Sequence, residues 1–247
     1  PGTYAVPEGI SIANDNVKLD CNGAVMDNTN PQDDSRGITV VGRRNIEISN
    51  CAVKNGMDGL YVERSSDIRV KNSLFSLMRE NGVYVKDSSL LRLEGNTVTE
   101  TQWGIRFENV QQSLLLKNQI NKNRNAQLTL WSGSSNNNIT ENTLSDFAFA
   151  NYPIYVRDSA SSNNLIYRNN LQHYGDTAID RGTNNQWSLN GQGNYWDKHR
   201  CIDNDWNGIC ENSYVVKFTN QDSNPFARQD GWKKSYPQIT VSSATPK

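Results

Sequence analysis

A short motif that recurs at nearly constant spacing constrains the fold of this chain more than any other feature. It is a small residue followed by aliphatic, variable and aliphatic positions, and in the first four copies the small residue is a glycine. These glycines lie 22, 23 and 22 residues apart, and looser copies continue at steps of 23, 26 and 25 residues. The copies are Gly37-Ile-Thr-Val40, Gly59-Leu-Tyr-Val62, Gly82-Val-Tyr-Val85, Gly104-Ile-Arg-Phe107, Gln127-Leu-Thr-Leu130, Pro153-Ile-Tyr-Val156 and Ala178-Ile-Asp180. Such a period predicts a solenoid whose turns stack on one another.

Two more short strand patterns follow each copy of the motif. The second pattern is, for example, Ile46-Glu-Ile48 or Ile68-Arg-Val70, and a third apolar run then follows an asparagine. Three strands in every 22 to 27 residues predict one turn of a parallel β-helix, because a turn can bury its apolar side only against its neighbours. We therefore expect an all-β chain, a right-handed parallel β-helix (solenoid) of about seven coils. The predicted β-helix spans residues 1–190, and a C-terminal cap or tail spans 191–247.

Asparagines recur before the third strand pattern of each turn. Asparagine tolerates the left-handed backbone that a tight corner needs, and its amide can bond the equivalent amide one turn above or below. If these residues were only loop residues, six at one phase would have no explanation. We expect a ladder of stacked amides made by Asn50, Asn72, Asn96, Asn118, Asn142 and Asn169.

Charge and hydropathy exclude two classes of partner. The 25 Lys and Arg residues balance 26 Asp and Glu residues, a formal net charge of -1. Nucleic-acid recognition requires a clustered excess of basic residues, so we expect no nucleic acid partner. The sequence also has no run of about 18 apolar residues, and we expect no transmembrane span.

Four cysteines indicate an oxidising compartment. Cys201 and Cys210 lie nine residues apart in a polar loop and are expected to form a disulfide. Cys21 falls by phase near Cys51, where a disulfide between coils and two buried free thiols are equally open. The first residue is Pro1 rather than Met, so we expect a processed or excised piece whose targeting signal is missing. The expected location is secreted, periplasmic or on the cell surface.

The repeat and the two ends of the sequence resemble a known family. Coils of Gly-Ile-x-Val, Asn-Ile-x-Ile and Asn-x-x-apolar are similar to the CASH-type right-handed β-helix repeats of carbohydrate-binding proteins and sugar hydrolases. The opening Pro1-Gly-Thr-Tyr4 and the ending Gly193-Asn-Tyr-Trp196 look like the family's start and finish. The tail, with Asp203-x-Asp205-x-Asn207-Gly208-Ile209, resembles periplasmic β-helix proteins related to the nitrous-oxide-reductase maturation factor and archaeal surface β-helix proteins. The resemblance implies the fold, while the repeat serves lyases, epimerases, hydrolases, accessory proteins and scaffolds alike.

The resemblance also bears on cofactors. The family's usual label suggests copper, but the two histidines and three methionines are scattered along the chain and predict no soft ligand cluster. No organic cofactor is expected.

Outward positions of the repeated motif form the best candidate for a polysaccharide groove. Aromatic rings one coil apart can stack on sugar faces, while Arg, Lys and Glu can bond hydroxyls or pair with uronate carboxylates. The alternative is that outward tyrosines stack on each other only to stabilise the sheet. The outward row reads Thr39, Tyr61, Tyr84, Arg106, Thr129, Tyr155 and Asp180, and the predicted substrate-binding residues are Tyr61, Glu63, Lys86, Glu108, Trp131, Tyr155 and Arg157.

A catalytic set is harder to find in the sequence. Tyr84 could move a proton while Arg106 neutralises a uronate carboxylate during β-elimination. His173, beside Asp176, is a second acid–base candidate. Polygalacturonase strings such as Gly-His-Gly, pectate-lyase signatures and the Asp-Pro-His-Asp string of alginate epimerases are absent. Whether the chain is an enzyme is left open, and the alternative is that these four are ordinary polar surface residues.

One loop of the tail has the spacing of a calcium site. Asp203, Asp205 and Asn207 supply oxygens at positions one, three and five before a glycine. The twelfth position is Tyr214 where an EF-hand requires Glu, so we expect a smaller Ca²⁺ loop completed by Glu211 or a backbone carbonyl. An Asx-rich turn pinned by the disulfide is the alternative.

Together these patterns predict a protein that binds an extended extracellular polysaccharide along its Tyr and Arg face. Processing of an acidic glycan by a lyase, epimerase or hydrolase reaction would extend that function. The alternative is a non-catalytic structural or assembly module of a cell-surface or periplasmic complex, with other protein chains as partners.

Overall fold

Short parallel strands wind into about eight turns, with almost no helix. The structure is a computed structural model that describes residues 2–29, 35–145, 152–172, 178–218 and 220–233. The first sheet holds the strands of the repeated motif: Ile10–Ile12, Arg36–Val41, Asp58–Glu63, Asn81–Ser89, Trp103–Gln111, Ala126–Trp131, Tyr152–Val156 and Ile179–Asp180. The second sheet holds Lys18–Asp20, Arg44–Ser49, Ser66–Lys71, Arg92–Glu94, Leu114–Leu116, Asn138–Thr140 and Leu165–Tyr167. The third holds Thr3–Ala5, Val25–Asp27, Ala52–Lys54, Leu74–Ser76, Thr97–Thr99, Gln119–Asn121, Thr143–Ser145, Asn170–Leu171 and Tyr195–Trp196.

Each strand pairs in parallel with the equivalent strand of the next turn. Tyr61 lies opposite Tyr84, and Tyr84 lies opposite Arg106, so equivalent side chains stack along the axis. Strands Asn81–Ser89 and Trp103–Gln111 continue from the first sheet into the second. The predicted all-β, right-handed parallel β-helix is therefore confirmed.

The core is a column of aliphatic side chains inside the turns. Ile38, Val40, Leu60 and Val62 have no exposed surface, because alternate residues of each strand point inward. The glycine that begins the motif has a steric cause, since a Cβ on Gly59 would lie 2.6 Å from the carbonyl oxygen of the next motif glycine. The repeat is thus a packing requirement of the stacked turns.

Buried amides stack at the corner before the third sheet, as expected, but with a shift in the first turns. Nδ2 of Asn118 donates to Oδ1 of Asn142 at 2.9 Å, and the same bond recurs from turn to turn. The ladder consists of Asn96, Asn118, Asn142, Asn169 and Asn194. The prediction was wrong for Asn50 and Asn72, which lie one residue earlier, at the left-handed corner with φ of 54° and 51°. The residues after them, Cys51 and Ser73, occupy the ladder position in those turns.

A second amide ladder, at the corner between the first and second sheets, was not predicted. Asn137 donates to Asn164, and Asn164 donates to Asn185, each at 3.0 Å. Asn185 donates to the carboxylate of Asp180 at 2.9 Å. Asp180 pairs with inward-facing Val156 and is fully buried, so its placement in the outward row was wrong.

The tail closes the last turns through a second buried carboxylate. Asp222 accepts bonds from the backbone N–H of Asn194 at 2.6 Å and from the Trp196 indole at 2.9 Å. Burial is the largest cause that raises the pKa of Asp222, to about 6. Strand Tyr214–Phe218 pairs with Ile179–Asp180 on one side and, antiparallel, with Asn220–Asp222 on the other, and a short 3₁₀ helix spans Gly231–Lys233.

All four cysteines are in disulfides. The expected Cys201–Cys210 bond is present, and the open question at Cys21 and Cys51 is answered by a bond between the first two turns. The third sheet extends to Tyr195–Trp196, while the domain division at residue 191 stays a prediction. Within the described ranges, no helix has the length and apolar composition that crossing a membrane requires.

Candidate functional site

Arginines and aromatic rings alternate along the outward side of the first sheet in one continuous stack, which we call the arginine–aromatic ladder. It forms because outward residues of successive strands lie in register, about 4.8 Å apart. Guanidinium carbons lie between 3.5 and 5.9 Å from the ring centroids that they face. In order along the stack, the members are Arg36, Tyr61, Tyr84, Arg106, Trp131, Arg157, Tyr155, Arg181 and Phe218.

The N-terminal half of this face comprises strands Asp58–Glu63, Asn81–Ser89 and Trp103–Gln111, and it is centred on Glu108. The Tyr84 hydroxyl donates to Glu108 Oε2 at 2.7 Å, and Nη2 of Arg106 lies 3.4 Å from the same oxygen. Lys86 Nζ lies 3.5 Å from Oε1. The structure therefore brings four predicted site residues together, and they satisfy one another.

Tyr84 is held in its protonated form. Burial, followed by the hydrogen bond to Glu108, raises the pKa of the Tyr84 hydroxyl well above its usual value. A tyrosine in this state can donate a proton or a hydrogen bond, but it is unsuited to abstract a proton at neutral pH. The geometry thus permits Tyr84 to donate a proton but not to abstract one, whereas the sequence predicted only that it moves a proton.

The same half of the face begins with a buried ion pair. Nε of Arg36 lies 3.4 Å from Oδ2 of Asp58. Asp58 is 1% exposed, and its Oδ1 accepts a bond from Asn81 Nδ2 at 2.7 Å. The Arg36 guanidinium covers the ring of Tyr61 at 3.5 Å, and Tyr61 is only 6% exposed. Tyr61 therefore faces outward, but its ring is packed inside the protein. Glu63, alongside it, pairs with its neighbour Arg64.

The C-terminal half of the face comprises strands Ala126–Trp131, Tyr152–Val156 and Ile179–Asp180, with Phe218 from the tail beside it. Arg157 lies 4.3 Å from the Trp131 centroid, and Arg181 lies 4.8 Å from the Phe218 centroid. Neither arginine has a carboxylate partner among the described residues. The adjacent Asp158 instead accepts bonds from the backbone N–H groups of Ser132 and Ser161. This half therefore presents unpaired cations on an aromatic platform.

Three members of the ladder were missed from the sequence. Arg36 and Arg181 flank the first and last copies of the motif, and an arginine beside a motif copy was a usable signal. Phe218 reaches the face because Tyr214–Phe218 pairs with Ile179–Asp180, and no pattern in the tail indicates that pairing. The predicted catalytic pair His173 and Asp176 lies outside the described residues.

The predicted calcium loop is compact and held by internal hydrogen bonds. Carboxylate oxygens of Asp203, Asp205 and Glu211 lie within 4.8 Å of one another. Asn207 lies beside them, but its side-chain oxygen accepts from Ile209 N at 2.7 Å. Gly208 N donates to Asp203 at 3.1 Å. The three carboxylates form a possible acidic metal site, whereas Asn207 is engaged with the backbone of its own turn.

Two concavities of the described surface lie away from the ladder. One, of about 670 Å³, lies over the corner between the second and third sheets, beside Asn50, Cys51 and Asn72. Another, of about 310 Å³, lies beside Met78 and Arg124. Small-molecule sites are usually concave, whereas the ladder lies on an open sheet face of the kind that an extended polymer could follow.

Comparison with known proteins identifies a family and a fold. The family model described as NosD, periplasmic copper-binding protein, matches residues 3–201. No curated protein matches the chain. The A-module of mannuronan C-5 epimerase AlgE6 from Azotobacter vinelandii is 16% identical with a TM-score of 0.55, covering 73% of this chain and 56% of that one. The periplasmic alginate epimerase AlgG is 17% identical with a TM-score of 0.54, covering 72% of this chain and 48% of that one. The chain thus spans about half the length of these neighbours, and the likeness shows the fold alone.

The described donors do not fit a copper site. Copper prefers thiolate, thioether and imidazole ligands. All four cysteines are in disulfides, and Met26 and Met78 are buried in the core. Met57 lies just before strand Asp58–Glu63, whereas His199 lies in the tail. His199 Nε2 donates to the carbonyl of Asn212 at 2.9 Å. The described residues therefore assemble no soft donor set.

Proposed function

The chain belongs to the NosD family, and from that premise and the geometry of the first sheet we propose that it binds an extended acidic polysaccharide. The polymer would follow the helix axis along the arginine–aromatic ladder. We place the strongest contacts at the C-terminal half of the face, at Trp131, Tyr155, Arg157 and Arg181.

The observation that carries this proposal is a pair of arginines, Arg157 and Arg181, that meet no carboxylate in the described part of the chain. Arg157 and Arg181 lie over aromatic rings of the face, at 4.3 and 4.8 Å from the ring centroids. A guanidinium can bind a uronate carboxylate through two parallel N–H bonds, and a neighbouring ring can pack against the sugar. The periodic spacing of the turns would present these groups repeatedly to a repeating polymer.

The test measures binding of alginate and polygalacturonate by titration calorimetry. Their carboxyl-reduced forms serve as neutral controls. Arg157→Gln/Arg181→Gln should weaken binding to the acidic polymers by at least about a hundredfold, because each of the two lost charge-assisted contacts contributes about 1.5–3 kcal/mol. The matched control is Arg69→Gln/Arg92→Gln on the second sheet, which changes the net charge equally. Equal binding by both double variants, or by acidic and neutral polymers, would refute the proposal.

Processing of the polymer stays a prediction centred on Tyr84 and Arg106. The protonated Tyr84 hydroxyl and the adjacent guanidinium support a role in protonating or orienting a bound uronate. The check is absorbance at 235 nm or new reducing ends from a panel of acidic glycans. An enzyme should lose that activity in Tyr84→Phe and in Arg106→Ala, whereas a binding protein shows none in any form.

Calcium at the tail loop is a second proposal, supported by the three clustered carboxylates. Hard cations such as Ca²⁺ prefer carboxylate oxygens. Calcium should raise the melting temperature of the wild type and not that of Asp203→Asn/Asp205→Asn. Mg²⁺ serves as the ion control, and an equal response of both proteins would exclude the site.

Two disulfides are compatible with a periplasmic or extracellular location, and we propose the periplasm on the strength of the family.

The alternative function, a non-catalytic assembly module, is favoured by apolar side chains on the tail. Val215 and Phe218 are 69% and 63% exposed. An assembly module should self-associate or bind a protein partner in sedimentation experiments, and Val215→Ser/Phe218→Ser should abolish the complex.

A further inference from the structure

Thr129 lies at the centre of the arginine–aromatic face and is buried although it points outward. Its neighbours Leu128 and Leu130 are fully buried core residues, so Thr129 points to the opposite side of the strand. Along the axis it lies between Arg106 and Tyr155. Even so it is only 1% exposed, and its Oγ1 has no hydrogen-bond partner among the described residues.

The neighbouring Arg106 has an unpartnered donor as well. Its Nη2 contacts Glu108, and its guanidinium lies between the rings of Tyr84 and Trp131, at 4.9 and 4.8 Å. The Nε–H is buried and makes no hydrogen bond with a described residue. Buried polar groups are normally paired, because leaving a donor unsatisfied costs free energy.

These two groups define the chemistry of what would bind between them. Arg Nε–H can only donate, and the threonine hydroxyl can donate as well as accept. A carboxylate has only acceptor oxygens and can take both bonds at once. A sugar hydroxyl can also pair with both groups, but its bond to the guanidinium lacks the charge assistance that a carboxylate oxygen supplies.

We propose that Thr129 Oγ1 and Arg106 Nε together bind one uronate carboxylate and so fix the register of the polysaccharide on the face. The inference rests on the proposed function and deepens it, since it names the residue that distinguishes a charged sugar from a neutral one at a single turn. Thr129 thereby becomes a specificity-determining residue, and Arg157 and Arg181 supply the general attraction.

Because Thr129 is only 1% exposed, access to this subsite requires movement of the side chains around it. Arg157, stacked on Trp131 at 4.3 Å, is held by no ion pair with a described residue. A long surface side chain without an ion pair changes rotamer at low cost. Arg157, which faces the rings of Trp131 and Tyr155 beside Thr129, would then contact the incoming carboxylate as well.

The experiment compares Thr129→Val, which keeps the branched shape and removes the hydroxyl, with Thr129→Ser, which keeps the hydroxyl. Thr39→Val is the matched control, because Thr39 occupies the same motif position in an earlier turn. Thr129→Val should lower affinity for polygalacturonate about tenfold, as expected for a hydrogen bond to a charged group. Thr129→Ser and Thr39→Val should bind as the wild type does. All variants should keep the wild-type melting temperature within a few degrees.

Three outcomes would overturn the subsite. Wild-type affinity in Thr129→Val would mean that buried water satisfies the hydroxyl, and the proposed function would survive. An equal loss of affinity for the carboxyl-reduced polymer would mean that the hydroxyl does not recognise the carboxylate. Failure of the wild type to bind any acidic polymer would refute both proposals together. Support also requires energetic coupling between the two residues. The double variant Thr129→Val/Arg106→Lys should lose less binding free energy for polygalacturonate than the sum of the losses in the two single variants.

Discussion

The two halves of the first-sheet face are built from the same motif but differ in how their charges are used. In the N-terminal half, Arg36 pairs with the buried Asp58, and Lys86 and Arg106 converge on Glu108. Arg106 lies at the boundary between the halves, and only its Nε–H is left without a described partner. In the C-terminal half, Arg157 and Arg181 stack on aromatic rings and meet no described carboxylate. The comparison teaches that an outward arginine row is not by itself a binding site. What distinguishes a binding half from a structural half is whether the protein already supplies the anion.

The largest expected effect concerns Asp222, the buried carboxylate of tail strand Asn220–Asp222. The pKa of Asp222 rises from 3.8 to about 6 in the folded protein, so the native state keeps a proton that the unfolded chain has lost. Stability should therefore decrease as pH rises between these two values, by about 3 kcal/mol at most. Asp222→Asn should remove most of this dependence in urea unfolding followed by Trp fluorescence. Asp58, whose pKa burial also raises, supplies a residual slope in both proteins.

The next effect separates the halves by stability. Arg36→Gln removes the cation that faces the buried Asp58, and we expect a loss of about 2 kcal/mol in the free energy of unfolding. Arg157→Gln removes an unpaired surface cation and should change stability by less than about 0.5 kcal/mol. Denaturant titrations of the two variants at neutral pH measure this contrast. Similar losses in both would contradict the distinction between a structural and a binding half.

The smallest effect tests whether the Glu108 cluster takes part in binding through any group other than the Arg106 Nε–H. Tyr84→Phe removes one hydrogen bond to Glu108, which should cost about 1 kcal/mol of stability. Affinity for polygalacturonate should change less than about twofold, because the Glu108 cluster is self-satisfied. A large loss of affinity in calorimetry would move the binding site toward the N-terminal half.

The fold could be predicted from the sequence because each turn repeats the same physical requirement. A motif glycine avoids the carbonyl of the next turn, and alternate aliphatic residues fill one shared core. The amide ladder was predicted correctly where asparagine occupies the position, and it was misplaced where Cys51 and Ser73 replace it. A one-residue offset is invisible in a sequence rich in asparagine, because both the corner and the ladder favour that residue.

The candidate site was less predictable, because its properties depend on partners from other turns. The row of Tyr and Arg followed from the period, but the burial of Tyr61 depends on Arg36 and could not be read from alternation. The inward position of Asp180 follows from its strand register, which the looser last copy of the motif left ambiguous. Thr129 carried no signal in the sequence, since its importance rests on an unpartnered hydroxyl.

The most direct test of the central claim is amide hydrogen exchange of the whole chain with and without polygalacturonate. The account predicts slower exchange in strands Ala126–Trp131 and Tyr152–Val156 when the polymer is bound, with Asp58–Glu63 unchanged. Protection of Asp58–Glu63 alone, or no protection of any first-sheet strand, would contradict it.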